Sequence, residues 1–232
     1  MPARTIVVQF SKSEFFSVLP PGFYTFMVVY SCYAVSVPQN VRPSTLWMIL
    51  HTLSTEIHGN PVLLIFVLFA CYLFGSILRT LPVSWAEMTV RPRNPRFPYP
   101  DVLSGVLSEL ARHGAATRHD PAKLPDLADG VPMNLFNYWK DLLCLQSAEG
   151  FEYYQTFETR VRFFGGLIWS AWLGILGTIY IFSVAWTTSW LIGLTILVIS
   201  LVVLATFGLN FRRVRRQEAK ALLLIFTAHL QK

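Results

Sequence analysis

Charge is what this chain has least of. Only 14% of its 232 residues are Asp, Glu, Lys or Arg, where a soluble domain of this size carries about 25%. Between Phe163 and Phe211 there is no charged residue at all. Cysteine is scarce too: Cys32, Cys71 and Cys144 stand far apart, with no CxxC pair and no Cys/His ligand spacing. That excludes a disulfide framework and a zinc site. No nucleophile elbow, Walker loop, HExxH or paired-carboxylate arrangement is present. His113 and His119 with Asp120 are the nearest approach to an acid–base pair, and they fall in or beside a Pro/Asp/Gly-bearing loop. The expectation is therefore no catalytic residue, no metal and no cofactor. A continuous apolar leader is missing as well, since Arg4, Lys12 and Glu14 interrupt the first residues; the first apolar segment reads as a retained anchor.

What is present is hydrocarbon: 53% of the residues are hydrophobic and 15% aromatic. The run from Phe163 to Phe211 divides at Thr187-Thr188-Ser189 into two halves, each about long enough to cross a core of roughly 30 Å. A transmembrane hairpin over 163–210 is expected. Two further spans are expected at about 15–37 and 61–81. The first carries Pro20-Pro21 near its start, so the span proper is expected to open at Pro20, where a missing N–H costs nothing. Between them Leu46, Ile49, Leu50, Leu53 and Ile57 recur at helical spacing, with Ser44 or Thr45 to cap the start and Gly59-Asn60-Pro61 to end it. This segment, 45–58, is too polar for a clear span and reads as an interfacial or partly re-entrant helix.

Residues 82–162 change character. A proline-rich basic stretch with Arg91, Arg93 and Arg96 opens them, followed by expected helices at 101–113, 132–145 and 148–162. After Asn210 comes a basic turn and then an apolar one, a helix over 211–232. The fold class expected is all-α: a polytopic membrane protein with four transmembrane helices, a small helical cytosolic domain between spans 2 and 3, and a C-terminal basic helix. The domain plan is 1–81, 82–162, 163–210 and 211–232.

Charge orients this map. Of 19 basic residues, 18 fall on the side holding both termini and residues 82–162, and only Arg42 on the other. The positive-inside rule puts both termini in the cytoplasm, which for a bacterial chain means the inner membrane. The surplus is local, because residues 79–162 hold ten basic and ten acidic side chains, whereas six basic residues against Glu218 follow Asn210. Two readings of those clusters stay open: orientation on an anionic leaflet, or a cytoplasmic anion site built from Arg91, Arg93, Arg96, Arg212, Arg213, Arg215 and Arg216, since the guanidinium fork suits phosphate.

The apolar centres of the spans contain no Asp, Glu, Lys, Arg or His, which speaks against an ion-coupled pump or carrier. A channel needs no such group. Candidate pore or selectivity residues are Thr178, Ser183, Thr195 and Ser200, with Glu56 able to form a ring in a symmetric oligomer; the alternative for each hydroxyl is a bond to its own helix, and for Glu56 a solvated surface position. His51 and His58 flank Glu56, but their spacing does not bring all three to one helix face. Gly166, Ser170, Gly174 and Gly177 share a face that suits close helix packing, within the chain or between copies.

The Leu19-Pro20-Pro21-Gly22-Phe23 segment, the Phe136-Asn137-Tyr138-Trp139-Lys140 helix and the Glu158-Thr159-Arg160-Val161-Arg162-Phe163 approach to the third span resemble elements of small prokaryotic membrane effectors of anti-phage defence. That resemblance implies an oligomeric, signal-gated channel or membrane-disrupting effector, tetramer-like, silent until a nucleotide or single-stranded nucleic-acid signal arrives from a partner enzyme. The alternative is a membrane anchor or scaffold for a cytosolic partner enzyme, docking through the stripe with Tyr138 and Trp139. The charge map makes one prediction of its own. With Cys32, Cys71 and Cys144 replaced by Ser, Gly105→Cys and Lys220→Cys are expected to resist an impermeant thiol label applied outside intact cells; labelling of either inverts the map.

Overall fold

A computed structural model describes residues 12–83, 85–86 and 148–229. Among the described residues every regular element is helical. They comprise α1 (Lys12–Ser36), a short 3₁₀ turn (Gln39–Val41), α2 (Leu46–Gly59), α3 (Pro61–Thr80) and one helical stretch over Ala148–His229. That last stretch is broken by non-helical backbone at Ala185 and Ser189. Thr178 Oγ1 lies 3.3 Å from the Gly193 carbonyl oxygen across the break, whereas fifteen residues of straight helix would separate them by about 22 Å. The chain therefore doubles back, giving α4 (148–184) and α5 (190–229). Among the described residues three helical stretches are long and apolar enough to cross a membrane: Ser17–Ser36, Pro61–Thr80 and Gly150–Leu222, the last including the reversal. The chain is a membrane protein.

The described residues divide into two compact units. One holds residues 12–81 with 165–207, the other the remainder of the long stretch with 82–86.

In the first unit α1 touches all its neighbours. Against α3 it packs backbone to backbone: a Cβ added at Gly22 would overlap the Cys71 carbonyl, and one at Gly75 the Val18 carbonyl. The two glycines answer each other across an antiparallel crossing, the small-residue contact that substitutes for hydrophobic drive in lipid. Against α4, Cys32 Sγ donates weakly to the Gly177 carbonyl at 3.8 Å and Ser36 Oγ lies 2.8 Å from the Tyr180 hydroxyl. Against α5, Ser200 Oγ donates to its own Ile196 carbonyl at 2.8 Å, leaving its lone pairs for the Tyr24 O–H at 2.7 Å.

Helix α1 begins at Lys12, not at Pro20, and passes through both prolines. The prolines withhold the N–H groups that would reach back to the Phe16 and Ser17 carbonyls. Membrane helices tolerate such gaps where packing and nearby hydroxyls make up the loss. Proline therefore marks the interior of this helix rather than its first turn.

Helix α2 buries Ile49 and Leu53 against the same core as Val35, Ile181 and Ile192, and exposes its other face. Its 14 residues reach about 21 Å, short of the roughly 30 Å a span requires. Thr45 Oγ1 caps it by accepting from the Met48 N–H. Asn60 ends it and starts the next helix: its N–H donates to the Glu56 and Ile57 carbonyls, its Oδ1 accepts from Val62 N–H, and Pro61 takes the first position of α3.

The reversal is held by the α1–α2 connection. Ser189 Oγ donates to the Pro43 carbonyl at 2.7 Å. Arg42 Nε donates to the Val37 carbonyl at 2.8 Å and its Nη1 to the Val184 carbonyl at 3.3 Å. These carbonyls close the C-terminal ends of α1 and α4, where the helix dipole and unpaired acceptors favour a cation. The single basic residue on the far side of the charge map is thus a double helix stop. Trp47, Trp186 and Trp190, which flank these same turns, are exposed, as interfacial tryptophans are.

Gly75→Leu is expected to separate α1 from α3, because no rotamer removes a Cβ from the Val18 carbonyl. In detergent its melting temperature should fall by more than that of Gly59→Leu, whose Cβ meets nothing; equal stability of the two variants contradicts the crossing.

Candidate functional site

The second unit carries the arginine-rich segment. On α5, Phe211, Arg215, Glu218, Ala219 and Leu222 are buried, whereas Arg212, Arg213, Arg216 and Lys220 are exposed. At 100° per residue the first set forms one stripe and the second an arc of about 100° on the other side. On α4, Tyr154 and Val161 are buried, and Glu158, between them in the sequence, is half-buried.

A polar cluster joins the two helices. The Tyr154 hydroxyl, 1% exposed as a residue, donates to Glu218 Oε1 at 2.7 Å. Glu218, 2% exposed, pairs through Oε2 with Arg215 Nη1, one turn earlier on its own helix. Nearby, Glu158 Oε1 receives Arg162 Nε at 3.1 Å and Nη2 at 2.8 Å, and the Arg160 guanidinium lies over the Phe157 ring. Burial, with the Glu218 and Glu158 carboxylates next to it, drives the Tyr154 phenol far above its ordinary range; Arg215 opposes this only in part. Tyr154 therefore keeps its proton and donates it in a hydrogen bond to Glu218.

The sequence-based candidates fall in different places. Arg91, Arg93 and Arg96 lie outside the described residues, as do His113, His119, Asp120, Cys144, Tyr138 and Trp139. Of the C-terminal arginines, Arg212, Arg213 and Arg216 share the exposed arc, and Arg215 turns inward to Glu218. The pore candidates do not meet within one chain. Thr178 and Ser200 are buried in the bundle, and Ser183 and Thr195 are exposed. All four hydroxyls donate to carbonyls of their own helix, at Gly174, Ile196, Tyr180 and Leu191 respectively. Glu56, His51 and His58 are exposed on α2, His58 Nδ1 lying 2.8 Å from the Ser54 carbonyl. Among the described residues no three His, Cys, Asp or Glu side chains gather. The small-residue face packs inside the chain: Gly166 against Pro21, Gly174 against Tyr24 and Ser200, and Gly177 against Val28, with Ser170 buried and bonded to the Leu167 carbonyl.

Sequence reasoning missed the Tyr154–Glu218–Arg215 cluster. The signal was there: Glu218 is the one acid in a basic segment, one turn after Arg215 and in register with Phe211 and Leu222. No protein family, curated protein or solved structure matches the chain.

Breaking a buried pair from one side strands the other charge, at about 3–5 kcal/mol. Glu218→Leu should therefore lower stability strongly, and Tyr154→Phe by about 1 kcal/mol near neutral pH. Because the folded phenol resists ionisation, unfolding releases a proton above the ordinary tyrosine pKa of 10.0. Stability contributed by keeping Tyr154 protonated is lost as pH climbs past that value, at about 1.4 kcal/mol per pH unit. Thermal unfolding between pH 9 and 11 should fall more steeply for the parent chain than for Tyr154→Phe. Parallel curves refute the burial of this hydroxyl.

Proposed function

We propose that this chain is an oligomeric ion channel or pore-forming effector of the bacterial inner membrane, gated by an anionic signal from the cytosol and acting in anti-phage defence. Its four spans would be α1, α3 and the apolar parts of α4 and α5, with both termini cytoplasmic. The observation that carries the reading is the chemistry of the bundle interior. Its buried polar side chains are the hydroxyls of Thr25, Ser31, Ser170, Thr178, Ser189 and Ser200, and among the described residues of that unit no carboxylate, ammonium, guanidinium or imidazole is buried. An ion-coupled carrier works through ionisable groups at mid-depth, and nothing here supplies them.

The packing favours a path between copies rather than through one. At Gly22, Gly75, Gly174 and Gly177 the interior has no room for an added Cβ, so the neighbours close in on the bare backbone. Leu64, Ile65, Phe66, Phe69 and Ile77 of α3 and Leu194, Val198, Leu201 and Val202 of α5 are turned outward. These faces are available to lipid and to other protomers. The defence role rests on the resemblance of the three sequence elements above, and the signal would act at the arginine clusters.

Reconstituted in planar bilayers, the full chain is expected to conduct, and to migrate in detergent as an oligomer. Neutral substitution at Arg91, Arg93, Arg96, Arg212, Arg213 and Arg216 should alter how a cytosolic nucleotide or oligonucleotide controls the current. A strictly monomeric particle that never conducts removes the reading; a stoichiometric co-purifying enzyme without ion leak favours a scaffold instead.

A further inference from the structure

Between the last turns of α1 and the first turns of α2 lies a cleft of about 390 Å³, within the range of small-molecule sites. Tyr30, Tyr33 and Ala34 of α1 line one side of it, and Met48, Ile49 and Thr52 of α2 the other. Ile49 is buried, whereas Tyr33, Met48 and Thr52 are exposed, so the cleft is closed at its base and open at its rim. Most of the lining is apolar, but its oxygen atoms are grouped. The Glu56 carboxylate and the Tyr33 hydroxyl both lie within electrostatic reach of the Tyr30 hydroxyl. Thr52 Oγ1 donates to the Met48 carbonyl at 2.9 Å and so offers lone pairs to a ligand. Glu56 stands one turn after Thr52 on the same face of α2.

The charge at this rim is negative. Glu56 is the only acid between Val37 and Asn60, and Arg42 the only Lys or Arg. Arg42 is turned to the Val37 and Val184 carbonyls. His51 and His58 stand about 140° and 160° around α2 from Glu56. Depth sets where a ligand comes from. Gly22 meets Cys71 and Gly75 meets Val18, a register that brings Pro61, the first residue of α3, level with Cys32. Val37 stands about 8 Å beyond that level, and a headgroup layer is about 5–8 Å deep. The cleft therefore sits beside headgroups rather than acyl chains, and a ligand reaches it from water.

We propose that this cleft binds a small organic ammonium with an apolar body, of the arylalkylammonium class, entering from the aqueous side at the α1–α2 connection. The Glu56 carboxylate and the phenol oxygens of Tyr30 and Tyr33 accept from its N–H groups. The exposed Tyr33 ring adds cation–π attraction, and the apolar body lies between Ala34 and Ile49. A bare inorganic cation would leave the apolar walls unused, and a neutral molecule would leave Glu56 unanswered. The proposal rests on the membrane placement of α1 and α3 in the preceding reading and not on conduction.

The test titrates the full chain in phosphatidylcholine nanodiscs with phenethylammonium by calorimetry, subtracting empty discs. Binding should saturate at one molecule per protomer, about tenfold tighter than for phenethyl alcohol, which lacks the charge, or ethylammonium, which lacks the ring. Glu56→Gln should weaken it about tenfold and Tyr33→Ala about threefold, while Glu152→Gln, which removes an exposed carboxylate elsewhere, behaves like the parent. Ala34→Trp should fill the cleft and abolish binding; Glu56→Gln, at an exposed position, decides the matter if Ala34→Trp does not fold. Equal affinity for the amine and the alcohol overturns the proposal, as does unchanged affinity in Glu56→Gln. So does loss of binding when phosphatidylethanolamine replaces phosphatidylcholine, which would make the occupant a lipid headgroup. Silence in bilayers alongside intact amine binding sinks the channel reading and leaves this one standing; conductance without amine binding does the reverse.

Discussion

Exclusion of water from residues 163–211 is the constraint on which the rest depends. In hydrocarbon a peptide group without a hydrogen-bond partner costs several kcal/mol, so the backbone must satisfy itself segment by segment. Helix is the available answer, and four hydroxyls of α4 and α5 follow the same rule at the level of the side chain. Thr178, Ser183, Thr195 and Ser200 all return their protons to carbonyls three or four residues back. Once the backbone is silent, helices meet by surface shape. That is why glycine, serine and cysteine mark the contacts of α1, and why Val18, Val28 and Val35 fill the spaces between them.

Much of this was legible in one dimension. The reversal near Thr187–Ser189, a cap at Ser44 or Thr45, the stop at Asn60-Pro61 and the apolar stripe through Ile49 and Leu53 each have a local cause that residue order records; the structure chooses Thr45 for the cap. The start of α1 was not legible. Proline disfavours helix interiors in water, and reading Pro20 as a first turn applies that rule; in a packed membrane helix the neighbours offset the loss, and Lys12 opens the helix instead. Partnerships across long separations were hidden as well. Nothing in the order of residues says that Tyr24 meets Ser200 or that Tyr154 meets Glu218, because the pattern shows which face is buried and not what covers it.

The same limit shapes the candidate site. Composition shows seven arginines in two clusters and treats them as equals. Tertiary structure separates Arg215, which is turned to Glu218, from Arg212, Arg213 and Arg216, which are turned outward. One residue of a basic run is scaffold and its neighbours are surface. Helical register, with an acid at the right offset, makes the division.

Arg42 has a consequence for motion. By gripping the carbonyl ends of α1 and α4 at once, with Ser189 bound to the adjoining Pro43 carbonyl, it makes the far side of the bundle a hinge post rather than a door. Helices riveted at one extremity can only splay at the other. Any widening between α1 and the hairpin would therefore spread from the end that holds Pro20 and Pro21, where the backbone ladder already lacks two rungs.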